Sequence, residues 1–303
     1  MKTSEIYFGT MKFVWLKLAM GVVVTLVSIV LFALVSLFGS LFGGEVMAIL
    51  MFIWLGLSFG IYSFVMYYFG YMIKAGHVAV IAEAVTSGQI PQNQFEWGKN
   101  AVQSRFAAAN VYYVVDHLVS GAVRQLQNVI GKIGGFLDAI PGVSTITSVL
   151  QIFIGIALGY VDECCLGYCF LKKDEGAFKA SCDGVAIYYQ NAKKLMKDAA
   201  VTTLIVIVGT LAAWIVPLVA FTLIFKALNW SMFVAVVLAI MVALFVKTAF
   251  IDSFMMVKMM VSYMEVAPET EVTVDIYGKL TKISSKFKKL YNKAEEEGLR
   301  VVA

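Results

Sequence analysis

The stretch FAAANVYYVVDHLVSGAV, residues 106–123, decides how many times this chain crosses a bilayer. It is apolar over most of its length, yet Asp116 and His117 stand side by side in its middle. What surrounds it is plainer. Of 303 residues, 60% are hydrophobic and 15% charged, with a mean hydropathy of +0.83. A soluble domain of that length has no interior large enough for so much apolar surface. The apolar runs are continuous rather than alternating, which points to membrane-spanning helices and away from a β-barrel. The first run begins near Leu18, and no small-residue cleavage site follows it, so it reads as a retained span and not as a signal peptide.

Clear runs occupy 18–43, 46–73, 144–171, 199–225 and 231–264. GGE at 43–45 joins the first two, and KALNWS at 226–231 joins the last two, giving helical hairpins. Charge orients them. Lys2, Lys12 and Lys17 precede the first span, and Lys74, Lys99 and Arg105 follow the second. Six lysines lie between Lys172 and Lys197, and six more with Arg300 lie in the tail. All of these belong in the cytoplasm by the positive-inside rule. An even number of crossings must then separate 74–105 from 172–197. With 144–171 taken as one, 106–123 supplies the other, with a re-entrant segment as its rival.

The expectation is therefore an all-α, polytopic helical membrane protein with about six transmembrane helices in hairpins, in the cell membrane, with both termini cytoplasmic. Residues 1–75 form the first hairpin, 76–105 a cytoplasmic linker, and 106–171 a central pair of spans. The outer loop of that pair, 124–143, carries Ile130, Ile133, Leu137 and Ile140 at helical spacing and lies on the outer leaflet or plugs the mouth. Residues 172–198 are a basic cytoplasmic segment, 199–265 the last hairpin, and 266–303 an amphipathic cytoplasmic tail. A repeat runs through this layout. EIYFGTMKFVWLKLA from Glu5 resembles AIYYQNAKKLMKDAA from Ala186, and each enters a hairpin with a longer return helix.

Four acid or imidazole side chains are candidate pathway residues. If 106–123 crosses, Asp116 and His117 are the deepest ionisable groups, and a carboxylate beside an imidazole can relay protons or hold a cation. The plainer reading is a surface helix with both in water. Asp162 follows Ser144 by eighteen residues, roughly 27 Å, and Asp252 follows Ser231 by twenty-one, roughly 30 Å. Both then lie near the inner interface, where an ion pair at a helix end is the plainer reading. Lys247 and Lys258 flank Asp252 at i−5 and i+6, spacings that do not pair along an α-helix, so Asp252 should find its partner on another helix. The tyrosines of IYSFVMYYFGYM, 61–72, read as an interfacial belt before a cation-binding wall.

Cys164, Cys165, Cys169 and Cys182 cluster without nearby histidine and read as free thiols on the reducing side, not as a metal site. No phosphate-binding loop, His-Glu-x-x-His or Gly-x-Ser-x-Gly motif is present. Neither an enzyme nor an ATP-driven pump is expected, and no cofactor, metal or nucleic-acid partner.

From about Arg105 onward the layout resembles the C-terminal half of the choline transporter-like family. The residues that carry this are CCLGYC at 164–169, IYYQN at 187–191, Asp252 in FID with Glu265, and the basic tail KLTKISSKFKKL at 279–290. Ile187, Tyr188 and Asn191 match the family's Ile-Tyr-Gly-Lys-Asn, whereas Tyr189 and Gln190 replace its Gly and Lys. Asp252 matches, but Ser253 stands for threonine. That family is longer, with about ten spans and a large outer domain. Residues 1–75 and 82–103 also look like small prokaryotic membrane proteins. The resemblance implies transport and assigns no substrate residue.

Two functions are expected on these grounds. One is a transporter or channel for a small organic cation or metabolite, using Asp116, His117, Asp162 and Asp252. The other is a non-transporting, homo-oligomeric membrane scaffold. The tail bears on the second: Ile276, Leu280, Ile283, Phe287 and Leu290 recur at heptad spacing. That stripe should pack on 164–171 and 254–264, of the same chain or of a second copy.

Overall fold

The computed structural model describes residues 1–106, 109–133 and 159–302, and its described residues are helical with no strand. The helices are α1 (Thr3–Gly9), α2 (Met11–Gly39), α3 (Gly44–Ser87), α4 (Gln94–Phe106), α5 (Ala109–Ile133), α6 (Val161–Leu171), α7 (Ala177–Ala227), α8 (Met232–Glu269), α9 (Val274–Ile283) and α10 (Ser285–Val302). The outer loop's Leu137 and Ile140, and 144–158 of the expected fourth span, lie outside the described residues.

Four helices are long and apolar enough to cross a membrane: α2, α3, Val206–Ala227 of α7, and α8. The chain is thus an all-helical protein with four candidate spans among its described residues. Helix α5, where 106–123 was expected to cross, is not one of them. Arg124, Gln125 and Gln127 follow its apolar stretch within two turns, and Asp116 and His117 interrupt that stretch.

The fold divides into two units. One comprises Met1–Thr10, Ala75–Leu204 and Phe254–Ala303; the other comprises Met11–Lys74 and Ile205–Ser253.

The second unit is the two hairpins. Gly43 turns the chain between α2 and α3 with φ of 90°, a conformation open to glycine at no steric cost. Leu228–Ser231 turns the other hairpin, with Asn229 in the left-handed region at φ 54°. Trp54, Val24, Phe225, Leu238, Met241 and Phe245 form the core. The Trp54 indole N–H donates to the Ser28 carbonyl at 2.9 Å and ties α3 to α2. At Gly21 a side chain would run into the Phe245 ring, so α8 approaches α2 closely through a missing Cβ. The remaining faces are apolar and exposed, as at Phe52 and Leu37. That is the outer surface of helices solvated by lipid.

Both return helices contain a π-turn, Met66–Gly70 in α3 and Lys247–Ile251 in α8. They occupy similar places in the two hairpins that the sequence repeat pairs.

In the first unit, α5 is the central element. Tyr112, Val115, Val119, Ala122 and Leu126 are buried on one face. Helix α10 packs along α5, and α9 and α6 also meet it. The tail stripe is buried at Ile276, Leu280, Phe287 and Leu290. It is divided between α9 and α10 at Ser284, whose hydroxyl donates to Gln125 Oε1 at 2.7 Å. The expected seat of the stripe was 164–171 and 254–264. Those two segments instead meet each other: Met260 and Met264 cover Gly167, and the Tyr168 and Tyr263 rings lie 6.4 Å apart.

Candidate functional site

Each unit holds a polar cluster. In the hairpin unit it begins at Lys17, one and a half turns into α2, whose side chain is almost fully buried. Its ammonium donates to Ser253 Oγ at 2.9 Å. On α8 the Lys247 ammonium donates to Asp252 Oδ1 at 2.6 Å. The spacing excluded a partner on the same helix, and the structure shows one. Residues i and i+5 diverge on an α-helix, but the Lys247–Ile251 π-turn carries i→i+5 closure and brings them onto one face. The side chains of Lys247 and Asp252 are 34% and 25% exposed, so the pair is partly desolvated and stronger than a surface one. Tyr62 of α3 lies within electrostatic reach of Asp252, and its ring meets Phe245 edge-on at 5.0 Å.

The other three sequence-predicted residues are in the first unit. Asp116 and His117 are on α5, flanked by α10 and not in a span. Asp116 and Asp162 come together, with Glu163, around the buried Tyr112, whose hydroxyl is pushed well up, first by burial and then by those three carboxylates. The Ser120 hydroxyl donates to Asp162 Oδ2 at 2.5 Å. Asp162 and Glu163 occupy the first turn of α6, where the helix dipole favours negative charge. His117 is exposed, stacked on Tyr113, with the Lys286 Nζ 3.4 Å from its Nε2.

All four cysteines are buried and free. Burial pushes each thiol up, and for Cys169 the nearby Arg105 partly opposes this. They are packing residues rather than nucleophiles. Among the described residues no group of three or more His, Cys, Asp and Glu is disposed to hold a metal ion.

Three interactions escaped the sequence reading. Arg105 donates to three carbonyls of the α6–α7 connection: Cys169 at 2.7 Å, Glu175 at 2.6 Å and Gly176 at 3.1 Å. Glu297 of α10 accepts from the first N–H groups of α7, Ala177 at 2.9 Å and Phe178 at 3.0 Å. Asp183, buried on α7, accepts from Lys179 at 2.6 Å and from the Tyr277 hydroxyl. Its burial raises it to about 6 despite the lysine. Only the Lys179–Asp183 pair had a sequence signal, the i,i+4 spacing of opposite charges. The other two span 64 to 120 residues of chain.

No family model matches this chain, and no curated protein or solved structure is significantly similar to it.

Proposed function

We propose that this is a membrane transporter or channel whose two hairpins form the conducting unit and whose substrate is a small organic cation. The Lys247–Asp252 pair supports the reading most directly. An ion pair placed across a π-turn near the inner end of an apolar helix marks a functional-site candidate. An incoming cation would compete with the Lys247 ammonium for Asp252, and the displaced ammonium, already one-third exposed, would pass to solvent. Lys17, bonded to Ser253, the next residue, adds a second buried ammonium near this site. The tyrosine-rich face around Tyr62 offers π faces to such a cation.

The topology proposed with it has four crossings and both termini in the cytoplasm. The first unit is assembled from 1–10, 75–204 and 254–303, and segments that fold together share one side of a bilayer. Among the described residues no candidate span lies between 74–105 and 172–197, and zero crossings satisfy the charge parity as well as two do. The resemblance to choline transporter-like proteins agrees with the substrate class. The alternative, an oligomeric scaffold, rests on the lack of a strong intramembrane charge constellation and on a long cytoplasmic helix; the tail's apolar stripe packs along α5 of the same chain.

The test is flux in proteoliposomes loaded against choline and tetramethylammonium. The wild-type protein should exceed empty vesicles, and D252N should fall to the empty-vesicle rate while keeping its helical content. Flux in D252N equal to wild type removes Asp252 from the pathway. No flux of either cation in the wild type removes the transport reading.

A further inference from the structure

The first hairpin turns polar side chains inward. Between Val14 and Gly39 the buried residues of α2 are Lys17, Gly21, Val24, Thr25 and Ser28. From Gly44 to Val65, α3 buries Trp54 and Ser58. Tyr62, partly buried, follows Ser58 by one turn. The side chains that make these helices apolar, such as Val30 and Leu37, face outward. Lipid accounts for the outward face. Packing alone does not account for hydroxyls on the inner one, because a buried polar group costs free energy unless it is bonded.

Ser28 and Ser58 carry that cost. Both are fully buried, and neither hydroxyl has a hydrogen-bond partner among the described residues. A serine or threonine within a helix can bond the carbonyl four residues back. Thr25 does so on Gly21 at 2.8 Å, and Thr222 on Leu218 at 2.8 Å. Ser28 and Ser58 do not. They also stand opposite each other. Across the hairpin Gly39 meets Met47, and the rings of Phe32 and Trp54 lie 5.5 Å apart. One turn on from Phe32 and Trp54, the same antiparallel register sets Ser28 against Ser58. Ser28 is eleven residues from Gly39 and eleven from Lys17. That is roughly 16 Å each way, so the two hydroxyls meet about halfway through a bilayer core.

We propose that Ser28 and Ser58 form a second station for the transported cation, a step that rests on the transport function proposed above. The cation leaves Asp252, passes the Tyr62 ring and enters between the two hydroxyls, whose oxygens have lone pairs not engaged by the protein. Together with water held between them, they solvate it at a depth where α2 and α3 place no carboxylate. The Phe32–Trp54 contact closes the station toward the α2–α3 turn. Trp54 is fixed there by its bond to the Ser28 carbonyl, so the residue that supplies one hydroxyl also anchors the closing ring.

The experiment replaces each serine singly by cysteine, a near-isosteric change, and exposes the full-length variants in proteoliposomes to ethylammonium methanethiosulfonate. This small cation reacts with thiols that reach water. Wild type is the blank, since its four cysteines are buried and lie in the other unit. V30C, on the exposed apolar face, is the lipid-facing control. S28C and S58C should react at least about tenfold faster than V30C, because a thiol in lipid is held in its neutral, unreactive form. Choline should slow both reactions. Choline flux in S28A/S58A should fall about tenfold, the effect of losing a hydrogen-bonding group from a charged ligand. Reaction of S28C and S58C no faster than V30C overturns the station, as does reaction that choline leaves unchanged. Wild-type choline flux with unreactive S28C and S58C overturns the station and leaves the transport reading standing. Choline-protected reaction with no flux in wild type keeps the site and removes transport. The two cysteine variants keep the test decisive if S28A/S58A fails to fold.

Discussion

Replacing Glu297 by alanine should open the start of α7. An α-helix leaves its first four N–H groups without partners in the helix. Here the Glu297 carboxylate supplies the acceptors for Ala177 and Phe178, at 2.9 and 3.0 Å, from a residue 120 positions away. It also places negative charge at the positive end of the helix. Losing the cap costs about 1 kcal/mol and losing the dipole interaction about 0.3–1 kcal/mol, so E297A should destabilise this end by about 1.3–2 kcal/mol. Since about 1.4 kcal/mol is a factor of ten, local opening should rise roughly ten- to thirtyfold. E297Q keeps an acceptor oxygen and loses the charge, and should fall between the two. Hydrogen exchange of peptides covering 172–185, in full-length protein in detergent, reads this directly, because exchange through local opening scales with the opening constant. The exposed neighbour Glu296 serves as control. Exchange at 177–179 unchanged within twofold in E297A, or raised equally in E296A, would refute the assignment of Glu297 as the cap.

A cysteine at Arg124, exposed on α5, should react with a membrane-impermeant maleimide only after cells are permeabilised. Labelling in intact cells would restore the six-span arrangement with 124–143 outside. Asp183 has a folded pKa of about 6 against an ordinary 3.8, so the folded state holds its proton more tightly than the unfolded one. Its contribution favours folding below about pH 3.8 and is lost as pH rises through about 6. The unfolding midpoint of wild type relative to D183N should therefore decline between pH 4 and 7, and parallel profiles would contradict this. W54F removes the donor to the Ser28 carbonyl at a fully buried site. Within a bilayer such a bond is worth about 0.6–1.7 kcal/mol. Resistance to unfolding in SDS should drop accordingly, and an unchanged midpoint would discount the bond.

What was legible in the sequence was length and apolarity. Runs at 18–43, 46–73, 199–225 and 231–264 find their helices at Met11–Gly39, Gly44–Ser87, Val206–Ala227 and Met232–Glu269. Average apolarity failed at α5, where periodicity would have served. Tyr112, Val115, Val119, Ala122 and Leu126 recur at spacings of three and four, which is the pattern of a helix buried on one side. The tail carries the matching seam in Phe287 and Leu290, and two such seams in one chain are each other's simplest partner. The Lys247–Asp252 pair was not legible, because it depends on a π-turn that no local residue pattern announces. Nor were Arg105 and Glu297, whose partners are backbone groups rather than side chains and leave no mark of their own on the sequence.

The two polar clusters differ in what their surroundings demand of them. Residues 11–74 and 205–253 contain Lys12, Lys17, Lys74, Lys226 and Lys247 as their basic residues, with Glu45 and Asp252 as their acids. Asp252 is thus the one carboxylate there apart from a residue at the α2–α3 turn. A lone acid within apolar helices must be held by a cation, and Lys247 holds it only because α8 departs from α-helical winding at that turn. A regular α-helix with a leucine at 252 would pack there with neither the charge nor the bulge. The first unit contrasts with this. In it Asp162 and Glu163 stand in the first turn of α6, Glu297 caps the start of α7, and Asp183 accepts from Lys179 and Tyr277. Helix dipoles and hydrogen bonds hold these acids of one unit, and an ion pair that depends on the π-turn holds Asp252 in the other.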